Sequence, residues 1–563
     1  MNKPVYVLGT GLSHDGSACL LKDGVIHVAI EKERISRIKH DGGNDSLAVQ
    51  YCLDAAGITL NDLSLVVQCA NFEKDEIRPD RYKGPRLFSS SNSFPIVTIS
   101  HHLAHAWSAV GTCPFDQCNV LVIDGCGSFY QQCDDLEGAI IPPHVNSEPG
   151  LYGEKDSFYF FDGKDLQPLY KDFSIINYRQ QAGQVYLPTS NHSIGGLYSM
   201  ASQYCFGDFD DAGKLMGLAP YGQKAVYQEE LLLLKDGHVW VDEAVMHRYF
   251  TNPADPVTRP FHEHFQYYAD IARWVQDEAE RALHYIFNHR HELHPFPKLC
   301  YAGGVALNAV ANSKIFRQTG FEQFYIEPAA GDNGLALGCA FFGWISYLKQ
   351  ERKIHDGNTC FGITYGSDSI EQTLESFKEN LHYQEEENIY AATADLLLQG
   401  KTVGWFQEGC EFGPRALGRR SILADPRNKD IQNHINSRIK FREDFRPFAP
   451  AVLEEDKDLY FQYGLSSPYM ILVDQIKDEW KEIMPGIVHV DGSCRVQTVA
   501  DKKEPFYQLL EEWKRQSGIS VLLNTSFNKK GMPIVETPGE AISFFLHCSL
   551  DVLVIGNLII TKS

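Results

Sequence analysis

The sequence predicts an α/β protein in two parts: a duplicated α/β domain over residues 1–355, then a second α/β or α+β domain over 356–563. Three observations predict it. Strand, hairpin and helix signals at the N-terminus recur in the same order from about residue 119. A polar run, Lys349-Gln350-Glu351-Arg352-Lys353-Ile354-His355-Asp356-Gly357-Asn358, interrupts the apolar patterning where a domain boundary is expected. Beyond it, alternating apolar strands accompany a concentration of arginines and lysines not found elsewhere in the chain.

In order, residues 4–9 read as a strand, and 17–22 with 25–31 alternate around Asp23-Gly24, a two-residue hairpin signal. A helix near 46–57 and a strand from Leu63 to Ala70 follow. The second round has a strand at 119–124 and then Phe158-Tyr159-Phe160-Phe161 running into an Asp162-Gly163 turn. Tyr268, Ile271, Ala272, Val275, Ala279, Ala282, Leu283 and Ile286 recur at helical spacing and predict a long amphipathic helix ending before Pro295. Strand Leu299-Cys300-Tyr301 comes next. The second part shows a helix near 388–399 and strands at 402–406, 521–523 and 552–555, with no pattern that specifies their order in a sheet.

Composition narrows the class. With 44% hydrophobic and 22% charged residues, the chain is that of a water-soluble globular protein. No apolar run is long enough to span a bilayer, and Met1-Asn2-Lys3-Pro4 lacks the character of a secretion signal, so a cytoplasmic enzyme is expected. The 14 cysteines include no Cys-x-x-Cys pair and read as reduced, buried thiols. A net charge of -22 disfavours nucleic acid as the main partner.

In the first part, Ser100 suits a helix N-cap, which places His101 and His105 one turn apart on one face. The strand ending at Ile123 delivers Asp124. Two imidazoles and a carboxylate form a mixed donor set for Fe(II), Zn(II) or Mn(II), with Asp332 a candidate fourth ligand. Glycine turns Gly195-Gly196, Gly303-Gly304 and Gly331-Asp332-Asn333-Gly334 fall where helices begin, so free N–H groups there suit a nucleotide phosphate. His14, in the first strand-to-hairpin turn, is a candidate base, and Lys39, ending the charged run from Glu31, a candidate charge stabiliser. In the second part, Arg415, Arg419, Arg420, Arg427, Lys429, Arg438, Lys440, Arg442 and Arg446 lie among rigid Gly and Pro turns, which suits recognition of a small anion.

These residues together resemble a family, the O-carbamoyltransferases of the nodulation and antibiotic-tailoring type. The motifs are His14-Asp15, Glu33-Arg34 through Lys39-His40, His101-x-x-x-His105, Asp124-Gly125, Gly213-Lys214-Leu215-Met216-Gly217, Gly303-Gly304-Val305-Ala306-Leu307-Asn308, Gly331-Asp332-Asn333-Gly334, Gly413-Pro414-Arg415, Lys440-Phe441-Arg442, Asp491-Gly492-Ser493-Cys494-Arg495 and Ser526-Phe527-Asn528. The resemblance implies an actin- and sugar-kinase-like (ribonuclease-H-like) first domain and a carbamoyl-adenylate-forming second domain. It implies a metal, typically iron(II), on His101, His105, Asp124 and Asp332. Gly195, Gly196, Lys214, Gly303, Gly304 and Asn308 would lie on the nucleotide in the first domain. Lys440, Arg442, Ser526 and Asn528 would contact ATP with Mg(II), and Arg415, Arg419 and Arg495 would hold carbamoyl phosphate. One departure is Ser128, where the family often has an acidic residue.

The implied reaction couples carbamate from carbamoyl phosphate to ATP and then passes the carbamoyl group to a hydroxyl acceptor. A homodimer is a reasonable analogy. A thiol-directed hydrogenase-maturation carbamoyltransferase is disfavoured by the missing Cys-x-x-Cys, and a sugar kinase by the histidine pair and second domain. A silent nucleotide-binding regulator, or an enzyme acting on a hydroxymethylated base in nucleic acid, are the remaining rivals. The acceptor pocket is expected in the irregular segments 71–95 and 130–195.

Overall fold

In the computed structural model, the described residues are 3–43, 45–69, 93–145, 152–175, 193–250 and 260–563. Much of the expected acceptor-pocket sequence, residues 70–92, 146–151 and 176–192, lies outside them. The chain divides into two compact units, residues 1–32 with 40–358, and residues 33–39 with 359–563.

The first unit is a duplication. One sheet contains β1 (Tyr6–Gly11), β2 (Ser17–Lys22), β3 (Val25–Glu31), β4 (Leu65–Cys69) and β5 (Ile96–Ile99) in the order β3-β2-β1-β4-β5. The second contains β6 (Cys118–Ile123), β7 (Tyr152–Phe161) and β8 (Leu166–Ile175), followed, after the separate hairpin β9 (Leu232–Lys235) and β10 (His238–Val241), by β11 (Lys298–Ala302) and β12 (Gln323–Ile326). Read from β8, its order is β8-β7-β6-β11-β12. In each, three strands form an antiparallel meander and two more add in parallel. The hairpin turn is as expected: Asp23 and Gly24 both take positive φ (50° and 79°), the condition for the turn that matches strand twist.

Equivalent helices follow the last strand of each sheet, His101–Thr112 after β5 and Leu335–Phe341 after β12. They pack on each other at a distance only glycine allows, since a Cβ on Gly338 would lie 1.7 Å from the Ala104 carbonyl oxygen. Gly9 of β1 does the same on the other side, where a Cβ would meet the Ala336 carbonyl oxygen at 2.1 Å. The long amphipathic helix spans Phe265–Leu293 and buries Tyr268, Ile271, Val275, Leu283 and Ile286.

The second unit is built on one nine-stranded sheet. Its strands are β13 (Leu381–Glu385), β14 (Val403–Phe406), β15 (Arg420–Ala424), β16 (Ala449–Leu453), β17 (Leu472–Gln475), β18 (Ser493–Val499), β19 (Val521–Ser526), β20 (Val552–Ile555) and β21 (Leu558–Lys562). They are ordered β13-β21-β20-β14-β15-β19-β16-β18-β17. Trp405, Trp513 and Phe527 are buried in its core with helices Ile389–Leu398, Pro505–Ser517 and Pro538–Leu546. The segment 33–39 is part of this unit's packing: Arg34 donates to the Gly413 carbonyl at 2.6 Å, and Arg37 to Ile534 and Pro533 at 2.7 and 2.8 Å. The later part of the charged run, residues 33–39, therefore groups with the second unit.

Candidate functional site

In the first unit, four side chains converge from three elements. His101 and His105 come from the first turns of the helix His101–Thr112, Asp124 from the residue after β6, and Asp332 from the turn that opens the helix Leu335–Phe341. All four are buried. His101 Nε2 is 3.0 Å from Asp124 Oδ2 and 3.1 Å from His105 Nε2. Asp332 Oδ1 lies 3.4 Å from His101 Nε2 and 3.6 Å from His105 Nε2, and Asp124 Oδ2 is 3.8 Å from His105. An ion with bonds of about 2.1 Å separates its ligand atoms by roughly 3.0–3.4 Å, so the four donors fit one first-row cation. The charges agree. Burial opposes ionisation, but Asp332 and Asp124 hold the His101 imidazole well above its ordinary range, so the pair of carboxylates favours positive charge at this centre.

The backbone around it explains two of the glycine turns. Gly304 N–H donates to Asp124 Oδ1 at 2.9 Å, and Gly303 has φ of 93° with room for no side chain against the Ile123 carbonyl. A Cβ on Gly195 would come 2.7 Å from the Gly125 nitrogen. Gly196 N–H is instead taken up by the Ser193 hydroxyl, the N-cap of helix Ile194–Phe206. Asn333 donates to Glu31 at 2.7 Å and steadies the turn that carries Asp332.

Several expectations change in detail. Ser100 is the N-cap of its helix but makes no side-chain cap; its hydroxyl donates to Asp135. The helix is capped from β7 and the loop before it: His101 N–H donates to Ser128 Oγ at 2.9 Å and His102 N–H to Glu154 at 3.2 Å. Glu154 also accepts from Ser128 N–H and pairs with Lys171 at 2.6 Å. Ser128 thus orients the ligand helix, a role for which an acidic residue is unnecessary because Glu154 supplies the carboxylate. Nothing local in the sequence marks Glu154.

His14 reaches the centre's edge, with Nε2 3.3 Å from Asp332 Oδ2 and Nδ1 3.2 Å from Asp15. Desolvation works against its charge, yet Asp332 and Asp15 outweigh it and raise the imidazole to about 10. With a carboxylate at each ring nitrogen, it is arranged as a proton donor rather than the free base expected. His40 completes the chain, 2.8 Å from Asp15. Lys39 is exposed and groups with the second unit. Lys214 is ion-paired with Asp211. The Asn308 amide caps helix Ala309–Gln318 and forms a reciprocal pair with Gln276.

In the second unit, the two short motifs expected on ATP meet. Lys440, the last residue of a π-helical turn (Ile435–Lys440), places Nζ 3.0 Å from Ser526 Oγ, 2.6 Å from the Ser526 carbonyl and 2.9 Å from Asn528 Oδ1. π-turns of this kind recur where a helix must aim one side chain. Arg442 is fixed by Asn436 at 2.7 Å and lies over the Phe448 ring. Sheet register brings Arg495 of β18 alongside: Ala449 pairs with Asn524, and Ala451 with Gln497.

These cations repel one another. Burial and then Arg415, Arg442 and Arg446 depress the Arg495 guanidinium well below its normal value, and burial with Arg446 brings Arg415 down to about 10. Burial, Arg442 and Arg446 likewise depress Lys440. The Nε atoms of Arg415 and Arg495 are buried without a hydrogen-bond partner. A half-buried, predominantly cationic cluster with two unpartnered Nε donors suits an anion. The loop bearing Arg415 is held by Glu411, whose Oε1 accepts from the backbone N–H groups of Leu417, Arg419 and Arg420, and by Gln497 and Asn524 on the Leu417 and Ala416 carbonyls.

Arg419 differs from its expected role. It faces Glu408, Glu504 and Cys360, and these partners raise its guanidinium despite burial. Its charge is thus met by carboxylates of its own unit, whereas Arg446 lies near Arg415, Arg442 and Arg495.

Among the described residues, no helix is long and apolar enough to cross a membrane. Comparison with known proteins finds the family model Carbamoyltransferase N-terminus over residues 7–87 and 70–341, and Carbamoyltransferase C-terminus over 394–562. An uncharacterised protein of Synechocystis is 33% identical, covering 99% of this chain and 97% of its own length. Nodulation protein NolNO of Sinorhizobium fredii is 31% identical over 98% of this chain and 79% of its own length. Nodulation protein U of Rhizobium tropici is 27% identical, with 93% and 91% covered. Among solved structures, full-length HypF in its phosphate- and nucleotide-bound form aligns at 14% identity and a TM-score of 0.38, over 60% of this chain and 55% of that one.

Proposed function

The chain belongs to the carbamoyltransferase family, and we propose that it is an ATP-dependent O-carbamoyltransferase that makes carbamoyl-adenylate in its second unit. The acceptor is a hydroxyl on a small molecule such as a sugar, a nucleoside or a natural product. The observation that carries this reading is the cationic cluster of Arg415, Arg442, Arg446, Arg495 and Lys440, in which the buried Nε atoms of Arg415 and Arg495 have no partner.

Arg415, Arg446 and Arg495 hold the phosphate and carbamate oxygens of carbamoyl phosphate. Lys440 and Arg442, with Ser526 and Asn528, receive the phosphates of Mg-ATP. Positive charge fixed before the substrates arrive favours the charge that develops as carbamate attacks the α-phosphorus and pyrophosphate leaves. No covalent enzyme intermediate is needed.

In the first unit, His101, His105, Asp124 and Asp332 would hold the metal, iron(II) or zinc(II) or manganese(II). The ion would supply positive charge for the nucleotide phosphate of the carbamoyl donor. Gly304 N–H holds Asp124 Oδ1, and Gly195 packs against the Gly125 backbone, which fixes the carboxylate's direction. His14, flanked by Asp332 and Asp15, donates toward the reacting group and steadies charge there, and the acceptor hydroxyl attacks the carbamoyl carbon as AMP leaves.

Separate half-reactions test this. Lys440→Ala should abolish carbamoyl-phosphate-dependent exchange of pyrophosphate into ATP. His101→Ala should leave that exchange intact and stop carbamoyl transfer to an acceptor panel read by mass spectrometry. Loss of exchange in His101→Ala would overturn the assignment of the two steps to different units.

A further inference from the structure

Three thiols converge at the far end of the second sheet from the metal centre. Cys113 ends the helix His101–Thr112, Cys118 begins β6 and Cys300 lies in β11. All three Sγ atoms lie within 4.8 Å of one another. Cys118 and Cys300 are 3.4 Å apart, and each of the three residues is fully buried. At about 3.3 Å per residue along β6, the cluster is roughly 20 Å from Asp124, so it is a separate site.

One further group bears on it. Arg352 donates to Cys113 Sγ at 3.4 Å, as well as to the Cys113 and Phe115 carbonyls, while its own Nε is buried and unpartnered. A guanidinium held against a buried sulfur favours thiolate there. Hydrogen bonds from Cys118 and Cys300, with Arg352, act in the same direction on Cys113 against the cost of burial.

We infer that Cys113, Cys118 and Cys300 bind a thiophilic d10 cation, zinc by charge count. Three thiolates, one divalent ion and the Arg352 guanidinium sum to zero, the condition for burying such a group without a large desolvation cost. Zinc–sulfur bonds of about 2.3 Å place ligand sulfurs roughly 3.8 Å apart, a few tenths of an ångström from the 3.4 Å between Cys118 and Cys300 and inside the 4.8 Å that bounds all three. On binding, the thiol protons leave to solvent, and no oxidant or reductant is involved. The ion would tie the end of the helix bearing His101 and His105 to the strand that presents Asp124. Its role is to position the metal centre.

The test uses the full chain in a His101→Ala background, which disables the histidine–carboxylate centre. Metal analysis should find about one zinc per chain, released by a thiol-directed mercurial and lost in the added variants Cys113→Ser and Cys300→Ser. Should those variants fail to fold, zinc release from the parent is followed with mass-spectrometric mapping of newly reacted thiols, which should fall on Cys113, Cys118 and Cys300. Zinc absent from the His101→Ala protein, zinc indifferent to the mercurial, release mapped to other cysteines, or a Cys118–Cys300 disulfide in the isolated protein would each overturn the inference.

Discussion

Arg495→Ala separates a binding cation from a structural one. Arg495 has its Nε buried without a partner and is depressed by burial and by Arg415, Arg442 and Arg446. In the free protein it costs stability, because a desolvated charge sits among like charges with nothing to accept its hydrogen bonds. Removing it relieves an unsatisfied buried donor, worth about 1–3 kcal/mol, against the packing of its aliphatic stem. Stability should therefore hold or rise. Binding should suffer instead: a charge-assisted hydrogen bond to an oxyanion contributes about 1.5–3 kcal/mol, so KM for carbamoyl phosphate should rise roughly ten- to a hundred-fold. The assay pairs that KM, read from pyrophosphate exchange, with thermal unfolding at increasing inorganic phosphate. Phosphate should raise the melting temperature of the unaltered protein by ligand linkage and much less in the variant. A variant that melts several degrees lower with unchanged KM and an unchanged phosphate response would refute the reasoning.

Arg419→Ala should show the opposite pattern, because its partners Glu408 and Glu504 would be left without their cation. Unfolding in urea should detect a loss of about 1 kcal/mol, since Glu408 and Glu504 are partly exposed, with the phosphate response preserved. Gly195→Ala would drive a Cβ to 2.7 Å from the Gly125 nitrogen and 2.9 Å from the Asp124 carbonyl carbon. Displacing Asp124 should lower metal content and transfer activity while pyrophosphate exchange continues. Burial raises Glu327 to about 7, beyond the hydrogen bonds from Thr112, Ala329 and Tyr325 that oppose it. The native state thus keeps a proton that the unfolded chain releases at lower pH, and stability should fall as pH rises from about 4.5 to 7, by roughly 3 kcal/mol in all. Glu327→Gln should flatten that window, as measured by urea unfolding across the range.

What could be read from the sequence follows the range of each interaction. The Asp23-Gly24 hairpin, the duplicated strand order and the helix Phe265–Leu293 are carried by local turn chemistry and periodicity. The four-donor cluster was accessible because His101 and His105 share one helical turn and Asp124 follows a strand. The order of the nine-stranded sheet was not, since β15, β16, β18 and β19 pair across long separations with no local signature. The same limit hid Cys300 beside Cys118, 182 residues earlier. The partners of Arg419, Glu408 and Glu504, were hidden because charge in a segment says nothing of which carboxylates face it. Glu411 gave one faint signal, an acidic residue just before the Gly413-Pro414 turn whose backbone donors it collects.

The two sites follow one electrostatic rule with opposite signs. In a chain of net charge -22, surface potential does little to gather a phosphate-bearing substrate, so the attraction has to be local and buried. The second unit meets this with guanidinium groups held close by a rigid loop, at the expense of mutual repulsion in the free state. The first unit does the reverse, burying Asp124 and Asp332 around the His101 imidazole, which they hold charged unless a cation replaces its proton. Each arrangement is costly until its ligand arrives and becomes favourable once it does. Ligand affinity and free-state stability must therefore trade against each other at Arg495, and they need not do so at Arg419, whose charge is balanced within the fold.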